Sequence, residues 1–151
     1  KNVYVKIPIT NTKSISTNNI IKELNHKNVK LNITAMFTKK QIDDVLKSIN
    51  KKTKCILSIF AGRIADTGSN PANIIRYALK KSKNYKNVKI LWASTRETYN
   101  IFQAAELRCH IITVPNNILS KMSLIGKNLN KYSLETVKSF YNDAVKSGYK
   151  I

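Results

Sequence analysis

The residues of this sequence that could do chemistry stand in or just after strand-like segments. Lys6 lies in the middle of VYVKIPIT, where apolar residues alternate on the opposite face of the predicted strand. A lysine in apolar surroundings loses solvation of its charged form, so its pKa falls and the free amine can attack a carbonyl to form a Schiff base. The alternative is an ordinary exposed lysine on a half-solvated strand, and the rest of the chain must decide between the two.

Polar side chains occupy matching positions on the segments that follow. LNITAMF places Leu31, Ile33 and Ala35 on one predicted face and Asn32 and Thr34 on the other. Further along the chain come Ser58, then Phe60 and a loop with Gly62 and Arg63, and finally Ser94 and Arg96. Two guanidinium groups with serines and nearby backbone amides suit a phosphate group, because their forks match its oxygens. We therefore expect these side chains to gather at one end of a sheet and to hold a phosphorylated ligand.

Strand-like and helix-like segments alternate along the whole chain and predict repeated βαβ units with a parallel sheet. The predicted strands span residues 3–8, 30–34, 55–60, 88–93 and 109–114. The predicted helices span residues 18–25, 39–49, 71–81, 98–107, 117–122 and 134–146, with Thr17 capping the first and Ser133 starting the last. We expect one domain over residues 1–151. An open doubly wound sheet and part of a (β/α) barrel both fit this pattern, and both place function at the carboxyl ends of the strands.

Composition excludes several classes of function. With 151 residues and 42% hydrophobic content the chain can bury a core, and no apolar run approaches the roughly 20 residues of a membrane helix. Cys55 and Cys109 form no CxxC or Cys/His cluster, so we expect no metal site and a reducing, cytoplasmic setting. The net charge of +19 suggests nucleic acid. However, the lysines are spread along the chain and no aromatic residues interleave with them, so we expect no specific nucleic-acid partner and no membrane partner.

The segments VYVKIPIT, LNITAMFT, SIFAGRIADTG, ILWASTR and ITVP, in this order and spacing, resemble the transaldolase family, in particular its short transaldolase and fructose-6-phosphate aldolase-like branch. The resemblance implies a (β/α)8 TIM barrel of the class I aldolase type, of which this chain would hold strands four to eight. It implies that Lys6 is the Schiff-base lysine, with Asn32 and Thr34 as catalytic neighbours. The residues implied to line the site or bind phosphate are Ser58, Phe60, Arg63, Ser94 and Arg96.

The implied activity is transfer of a dihydroxyacetone unit between sugar phosphates, as in pentose phosphate metabolism, with no metal or organic cofactor. Phe60 stands where the aldolase members of this branch have a tyrosine, which favours a transaldolase over the alternative, a fructose-6-phosphate aldolase-like lyase. GRIADTG and AST also depart from the usual family pattern and indicate a subfamily with a different sugar. A non-catalytic sugar-phosphate-binding barrel fragment is the other alternative.

The segments that resemble the family begin at its fourth strand, and the first residue is Lys1 instead of methionine. We therefore expect a processed chain or a fragment whose sheet has open edges at residues 3–8 and 109–114. Open edges invite pairing with other chains, so we expect a homo-oligomer, and we expect these 151 residues to be inactive when expressed alone.

Overall fold

A parallel sheet of five strands, arranged in the order in which they occur along the chain, forms the centre of the computed structural model, which describes residues 2–148. The strands are β1 (Val5–Pro8), β2 (Leu31–Met36), β3 (Cys55–Ile59), β4 (Val88–Trp92) and β5 (Ile111–Ile112). Right-handed crossovers between strands in this sequential order place the connecting helices on one face of the sheet, as in a TIM barrel. A doubly wound sheet would instead reverse its strand order. The α/β fold, consistent with a partial TIM barrel, is therefore confirmed.

The helices between and after the strands account for most of the remaining chain. They are α1 (Asn18–His26), α2 (Lys39–Ser48), α3 (Ala61–Ala65), α4 (Ala72–Ser82), α5 (Tyr99–Glu106), α6 (Asn116–Leu119), a 3₁₀-helix (Ser120–Leu124) and α7 (Leu129–Lys146). Helix α2 begins with a capping box, in which the Thr38 hydroxyl accepts from the Gln41 amide while the Gln41 side chain accepts from the Thr38 amide. None of the described helices is long and apolar enough to cross a membrane.

The hydrophobic core lies on one face of the sheet, and the other face carries polar residues together with Ile56 and Leu91. Alternate strand residues such as Ile33, Leu57 and Ile90 are fully buried in this core, together with Ile42 and Ile75 of the packing helices. Because successive strand side chains point to opposite faces, Lys6, Asn32 and Ser58 belong to the face that would line a barrel.

The predicted face of Ala35 is wrong. The pairing between β2 and β3 shifts register between Ile33 and Met36, and Ala35 adopts a left-handed backbone conformation with φ of 57°. A bulge of this kind adds a residue to one strand. Met36 is consequently the residue that enters the core, with no exposed surface.

Several predicted boundaries also change. Gly62 and Arg63, predicted to lie in a loop, belong to the short helix α3. Strand β5 is only two residues long, and α7 begins well before Ser133 because the Asn128 side chain accepts from the Lys131 amide and caps it. Thr17 precedes α1 but caps no amide, since its hydroxyl donates to the Pro8 carbonyl at 2.5 Å.

The chain divides into two compact units. Lys1–Leu119 contains the sheet and all the candidate site residues, and Ser120–Ile151 contains the 3₁₀-helix and α7. In the second unit the Lys127 ammonium pairs with the Glu135 carboxylate. A single domain over residues 1–151 stays a prediction.

Candidate active site

Lys6 and Asn32 lie side by side on adjacent strands. The register pairs Lys6 of β1 with Asn32 of β2, and Pro8 with Thr34 two residues further along. The side chains of paired residues on parallel strands project from the same face of the sheet, so the Lys6 and Asn32 side chains lie on the same face. The structure leaves Lys6 exposed, as in the alternative of a half-solvated strand, and not in the apolar surroundings that its neighbours in the sequence suggested. Within residues 2–148 its side chain makes no hydrogen bond or ion pair. Its amine is thus available to a ligand on this face.

Unpartnered polar atoms lie beside Lys6. The Asn32 Oδ1 and Thr34 Oγ1 atoms are buried and have no hydrogen-bond partner among the described residues. Thr34 is only 7% exposed. Most buried polar atoms in proteins are hydrogen-bonded, and each exception requires an explanation. A hydroxylated ligand held next to Lys6 would supply the missing partners.

Ser58 extends this face onto the next strand, and Phe60 comes just after that strand. Ser58 of β3 is 3% exposed, and Phe60 follows the strand as the residue that precedes α3. The Phe60 ring centroid lies 5.8 Å from that of Phe37, and the Arg63 guanidinium carbon lies 5.4 Å from the Phe60 centroid. Such a cation–π contact holds a guanidinium in place without using its donors. Arg63 makes no hydrogen bond or ion pair through its side chain within residues 2–148, so its donors are free for an anion.

Ser94 and Arg96 follow β4 in a turn of unusual backbone conformation. Ser94 has a φ of 64°, in the left-handed region that residues other than glycine seldom adopt. The Arg96 amide donates to the Asn100 Oδ1 atom at 2.9 Å, and Asn100 is buried. The Arg96 guanidinium donates to the Asp66 carboxylate at 2.6 Å, and both side chains are about half exposed. Because residues in sparsely populated conformations cluster at functional sites, this turn is a strong candidate for ligand contact.

Gly62 brings α3 against this turn. Its amide donates to the Ala93 carbonyl at 3.4 Å, and a Cβ atom at Gly62 would lie 1.6 Å from the Ser94 carbonyl oxygen and 2.9 Å from the Arg96 Cγ atom. Only a residue without a side chain permits this approach. The helix that carries Arg63 and the turn that carries Ser94 and Arg96 are therefore held together at the carboxyl ends of β3 and β4.

A groove of about 420 Å³ opens beside this turn. It is lined by Ser94, Thr95, Arg96, Thr113, Val114 and Pro115, at the carboxyl ends of β4 and β5. The Thr95 hydroxyl donates to the Thr113 carbonyl at 2.6 Å and fixes one wall of the groove to the other. The groove lies where barrels of this type bind phosphate.

The predicted site residues thus form two groups. Lys6, Asn32, Thr34 and Ser58 stand on the sheet face, whereas Phe60, Arg63, Ser94 and Arg96 follow the carboxyl ends of β3 and β4. No hydrogen bond or ion pair joins the two groups within residues 2–148, so a ligand would have to bridge them. Their roles in binding or catalysis stay predictions.

Sequence reasoning missed the residues that contact Arg96. Asp66 lies in the quoted motif GRIADTG, but its pairing with a residue 30 positions away has no local signal. Asn100 lies in the first turn of α5, and its side-chain oxygen reaches back to accept from two successive amides before the helix, those of Arg96 and Glu97. The sequence offers no specific signal for this contact either.

The two cysteines do not compete with Lys6 as nucleophiles. Burial raises the pKa of the Cys55 thiol to about 12 and also raises the pKa of Cys109. A thiol with such a pKa carries almost no thiolate near neutral pH, and the thiolate is the reactive form. Among residues 2–148, no three His, Cys, Asp or Glu side chains gather in a way that could hold a metal ion.

Comparison with known proteins agrees with this geometry. A family model described as Transaldolase/Fructose-6-phosphate aldolase matches residues 1–151. A probable transaldolase of Thermoanaerobacter sp. (strain X514) is 32% identical over 152 residues, covering all of this chain and 64% of that protein. A probable transaldolase of Nitrosopumilus maritimus (strain SCM1) is 32% identical over 136 residues, covering 89% of this chain and 57% of its own length. The chain therefore spans less than two thirds of the curated relatives it matches.

Proposed function

The chain belongs to the transaldolase/fructose-6-phosphate aldolase family, and from that premise we propose that it carries the lysine and the phosphate-binding arginines of a transaldolase. The reaction is transfer of a dihydroxyacetone unit from a keto sugar phosphate to an aldose phosphate. One observation supports this most strongly. An unpaired lysine lies beside buried, unpartnered Asn and Thr oxygens, and two arginines stand at the carboxyl ends of neighbouring strands.

In this proposal the Lys6 amine attacks the ketone carbon of the donor sugar, and loss of water gives an iminium ion. The bond between C3 and C4 of the sugar then breaks, its electron pair moves toward the iminium nitrogen, and the C4 hydroxyl loses its proton as the first aldose phosphate departs. The resulting enamine attacks the aldehyde of the acceptor. Addition of water to the new iminium releases the product and restores the amine. No carboxylate lies on the described strands, so the proton acceptor must come from outside β1–β5.

Asn32 and Thr34 suit the positioning of the substrate hydroxyls. Asn32 Oδ1 accepts a hydrogen bond from a hydroxyl, and the Thr34 hydroxyl can donate or accept one. Both atoms are buried and unpartnered, so a substrate that satisfies them removes a desolvation cost of about 1–3 kcal/mol each. This gain depends on correct placement of the hydroxyls and therefore favours a polyhydroxylated substrate.

Arg63, Arg96 and Ser94 suit the phosphate group of the substrate. Arg63 already rests on the Phe60 ring with its donors free, whereas Arg96 shares one donor with Asp66. Both arginines follow neighbouring strands, and the close contact between Gly62 and Ser94 holds the carboxyl ends of these strands together. Charge-assisted bonds to such groups are each worth about 1.5–3 kcal/mol.

Fructose-6-phosphate aldolase activity is the second candidate, and Phe60 argues against it. The aldolase branch that the sequence resembles has a tyrosine at this position, whose hydroxyl can take part in proton transfer. Phe60 has none. The ring instead packs against Phe37 and Arg63.

Steady-state kinetics of the full-length protein test the proposal. With fructose 6-phosphate as donor, turnover should require an aldose phosphate acceptor, and Lys6→Arg should abolish it because a guanidinium stays protonated. Lys22→Arg is the matched control, since Lys22 is an exposed lysine on α1 away from the strands. Release of free dihydroxyacetone without an acceptor would favour the aldolase. Full activity of Lys6→Arg would refute both.

A further inference from the structure

A second concave surface lies at the amino ends of the strands, away from Phe60, Arg63, Ser94 and Arg96, which follow the carboxyl ends of β3 and β4. One of its residues, Lys89 of β4, lies in the register row that runs from Lys6 through Asn32 and Ile56. The surface encloses about 370 Å³, and five of its eight lining residues are lysines, namely Lys51, Lys52, Lys54, Lys86 and Lys89. No Asp or Glu lines it. At about 3.3 Å per strand residue, the length of β3 separates it from Phe60 by roughly 16 Å. We refer to this surface as the lysine cavity.

The sequence hides this cavity because its lysines come from separate segments. Lys51, Lys52 and Lys54 lie between α2 and β3, and Lys86 lies between α4 and β4. Parallel strands bring the connections that precede them to the same edge. The spread of lysines along the chain, which argued against a binding surface, therefore becomes a cluster in the fold.

Hydrogen bonds fix the two connecting segments to each other. The Asn87 side-chain amide donates to the Asn50 carbonyl at 3.0 Å and to the Thr53 carbonyl at 2.7 Å. The Asn50 Oδ1 atom accepts from the Thr53 amide at 2.7 Å, so the turn before β3 is held from both sides. The Asn87 Oδ1 atom is buried and has no partner among the described residues. The two segments that carry most of the lysines are thus fixed to each other, and the cavity is a preformed cationic surface.

Most acidic side chains of the described residues pair with cations outside the cavity. Five of the eight acidic side chains form ion pairs, namely Glu23 with Lys27, Asp43 with Lys81, Asp44 with Lys40, Asp66 with Arg96 and Glu135 with Lys127. Within residues 2–148, no ion pair involves any lysine of the cavity. Ammonium groups crowded without counter-charges repel one another, and an anion bound among them relieves that repulsion.

We propose that the lysine cavity binds a small oligophosphate anion, such as a chain of two or three linked phosphate groups. Lysine ammonium groups bind phosphate oxygens as point charges without demanding a fixed geometry. The cavity volume lies in the range of small-molecule sites. A nucleic acid fits less well, because Lys30 and Lys51 already lie over the rings of Tyr4 and Tyr85 that could have stacked on bases.

Isothermal titration of the full-length protein with inorganic tripolyphosphate tests the proposal. The informative variant is Lys51→Gln/Lys54→Gln/Lys86→Gln, and its control is Lys13→Gln/Lys22→Gln/Lys47→Gln, which removes the same charge from exposed positions elsewhere. Both are made in protein that also carries Arg63→Gln and Arg96→Gln, so that the candidate active site does not contribute. We expect one site per chain at about 0.15 M salt, an affinity loss of about tenfold or more in the cavity variant, and little change in the control.

Amide chemical shifts locate the anion independently of affinity. In the Arg63→Gln/Arg96→Gln background, tripolyphosphate should move the amide signals of Thr53, Asn87 and their neighbours and leave those of Ser94 and Thr95 unchanged. Equal losses of affinity in the two triple variants would show a general effect of charge and overturn the proposal. So would the lack of a saturable heat, or tighter binding of a single-stranded oligonucleotide through the same lysines. None of these outcomes bears on the transaldolase proposal, because none of the substituted lysines is a candidate active-site residue.

Discussion

Replacement of Gly62 by alanine should disrupt the contact between α3 and the turn after β4. The new Cβ atom would lie 1.6 Å from the Ser94 carbonyl oxygen, 2.7 Å from the Ser94 carbonyl carbon and 2.9 Å from the Arg96 Cγ atom. Carbon and oxygen need roughly 3.3 Å, so the two segments must separate by about 1.7 Å at this point. The Arg96 side chain can rotate away, but the Ser94 carbonyl belongs to a backbone already in the left-handed region.

Overpacking of this kind usually costs about 1–3 kcal/mol, and the backbone clash places Gly62→Ala at about 3 kcal/mol. For a domain of this size each kcal/mol lowers the melting temperature by about 2–4 °C, so we expect a decrease of about 6–12 °C. If the turn after β4 moves aside instead, Arg63 and Arg96 no longer lie at the distance from each other that phosphate binding requires. The KM for phosphorylated substrates should then rise while part of the stability is recovered.

Thermal melts followed by circular dichroism, together with KM measurements on the full-length protein, check this prediction. Gly68→Ala is the control. Gly68 has a φ of 78° and open space where a Cβ would lie, so that substitution costs only the left-handed conformation, about 1–2 kcal/mol. Gly62→Ala should therefore be the more damaging change, although Gly62 is not in the left-handed region. Wild-type melting and wild-type KM in Gly62→Ala would refute the close approach and the site geometry built on it.

Three further predictions concern charge. Arg63→Ala or Arg96→Ala should raise the KM for phosphorylated sugars by about tenfold or more and hardly affect unphosphorylated analogues, whereas equal losses with both substrate types would mean that the arginines are structural. Asp66→Asn should lower the KM for phosphorylated substrates by about two- to fivefold, since the carboxylate competes with phosphate for Arg96, and a raised KM would mean that Asp66 positions Arg96 instead. Burial raises the pKa of the Cys55 thiol from its ordinary value of 9.0 to about 12, so the unfolded chain loses this proton at a lower pH than the folded protein does. Between about pH 9 and about pH 12 the free energy of unfolding should therefore fall by up to roughly 4 kcal/mol more in the wild type than in Cys55→Val. Urea unfolding at a series of pH values measures this, and the same pH dependence in both proteins would contradict the burial of Cys55.

The sequence predicts the sheet well because hydrophobic alternation is a local signal. VYVKIPIT and CILSIFAGRI both contain strands at the expected places, and their order along the chain is also their order in the sheet. The boundaries that differ depend on side-chain hydrogen bonds between segments. Asn128 starts α7 earlier than Ser133 would, and Thr17 bonds to Pro8 instead of to its own helix.

The sequence predicts those parts of the candidate site that follow from the alternation of side chains along a strand and from the parallel order of the strands. The pairing of Lys6 with Asn32 results from alternation, and the placement of Arg63 and Arg96 after neighbouring strands results from parallel topology. The bulge at Ala35 was not predictable, since it depends on how β2 pairs with β3 beyond Ile33. The contact of Gly62 with Ser94 joins residues 32 positions apart, and no local pattern encodes it.

Borohydride trapping on the full-length protein tests the Schiff-base role of Lys6 most directly. Reduction in the presence of fructose 6-phosphate should attach one reduced three-carbon unit to Lys6, and peptide mass spectrometry should find it on the peptide that contains VYVKIPIT. No such adduct should form in Lys6→Arg, whereas Lys22→Arg should label as the wild type does. Labelling spread over surface lysines, or an adduct that persists in Lys6→Arg, would contradict the assignment of Lys6 as the nucleophile.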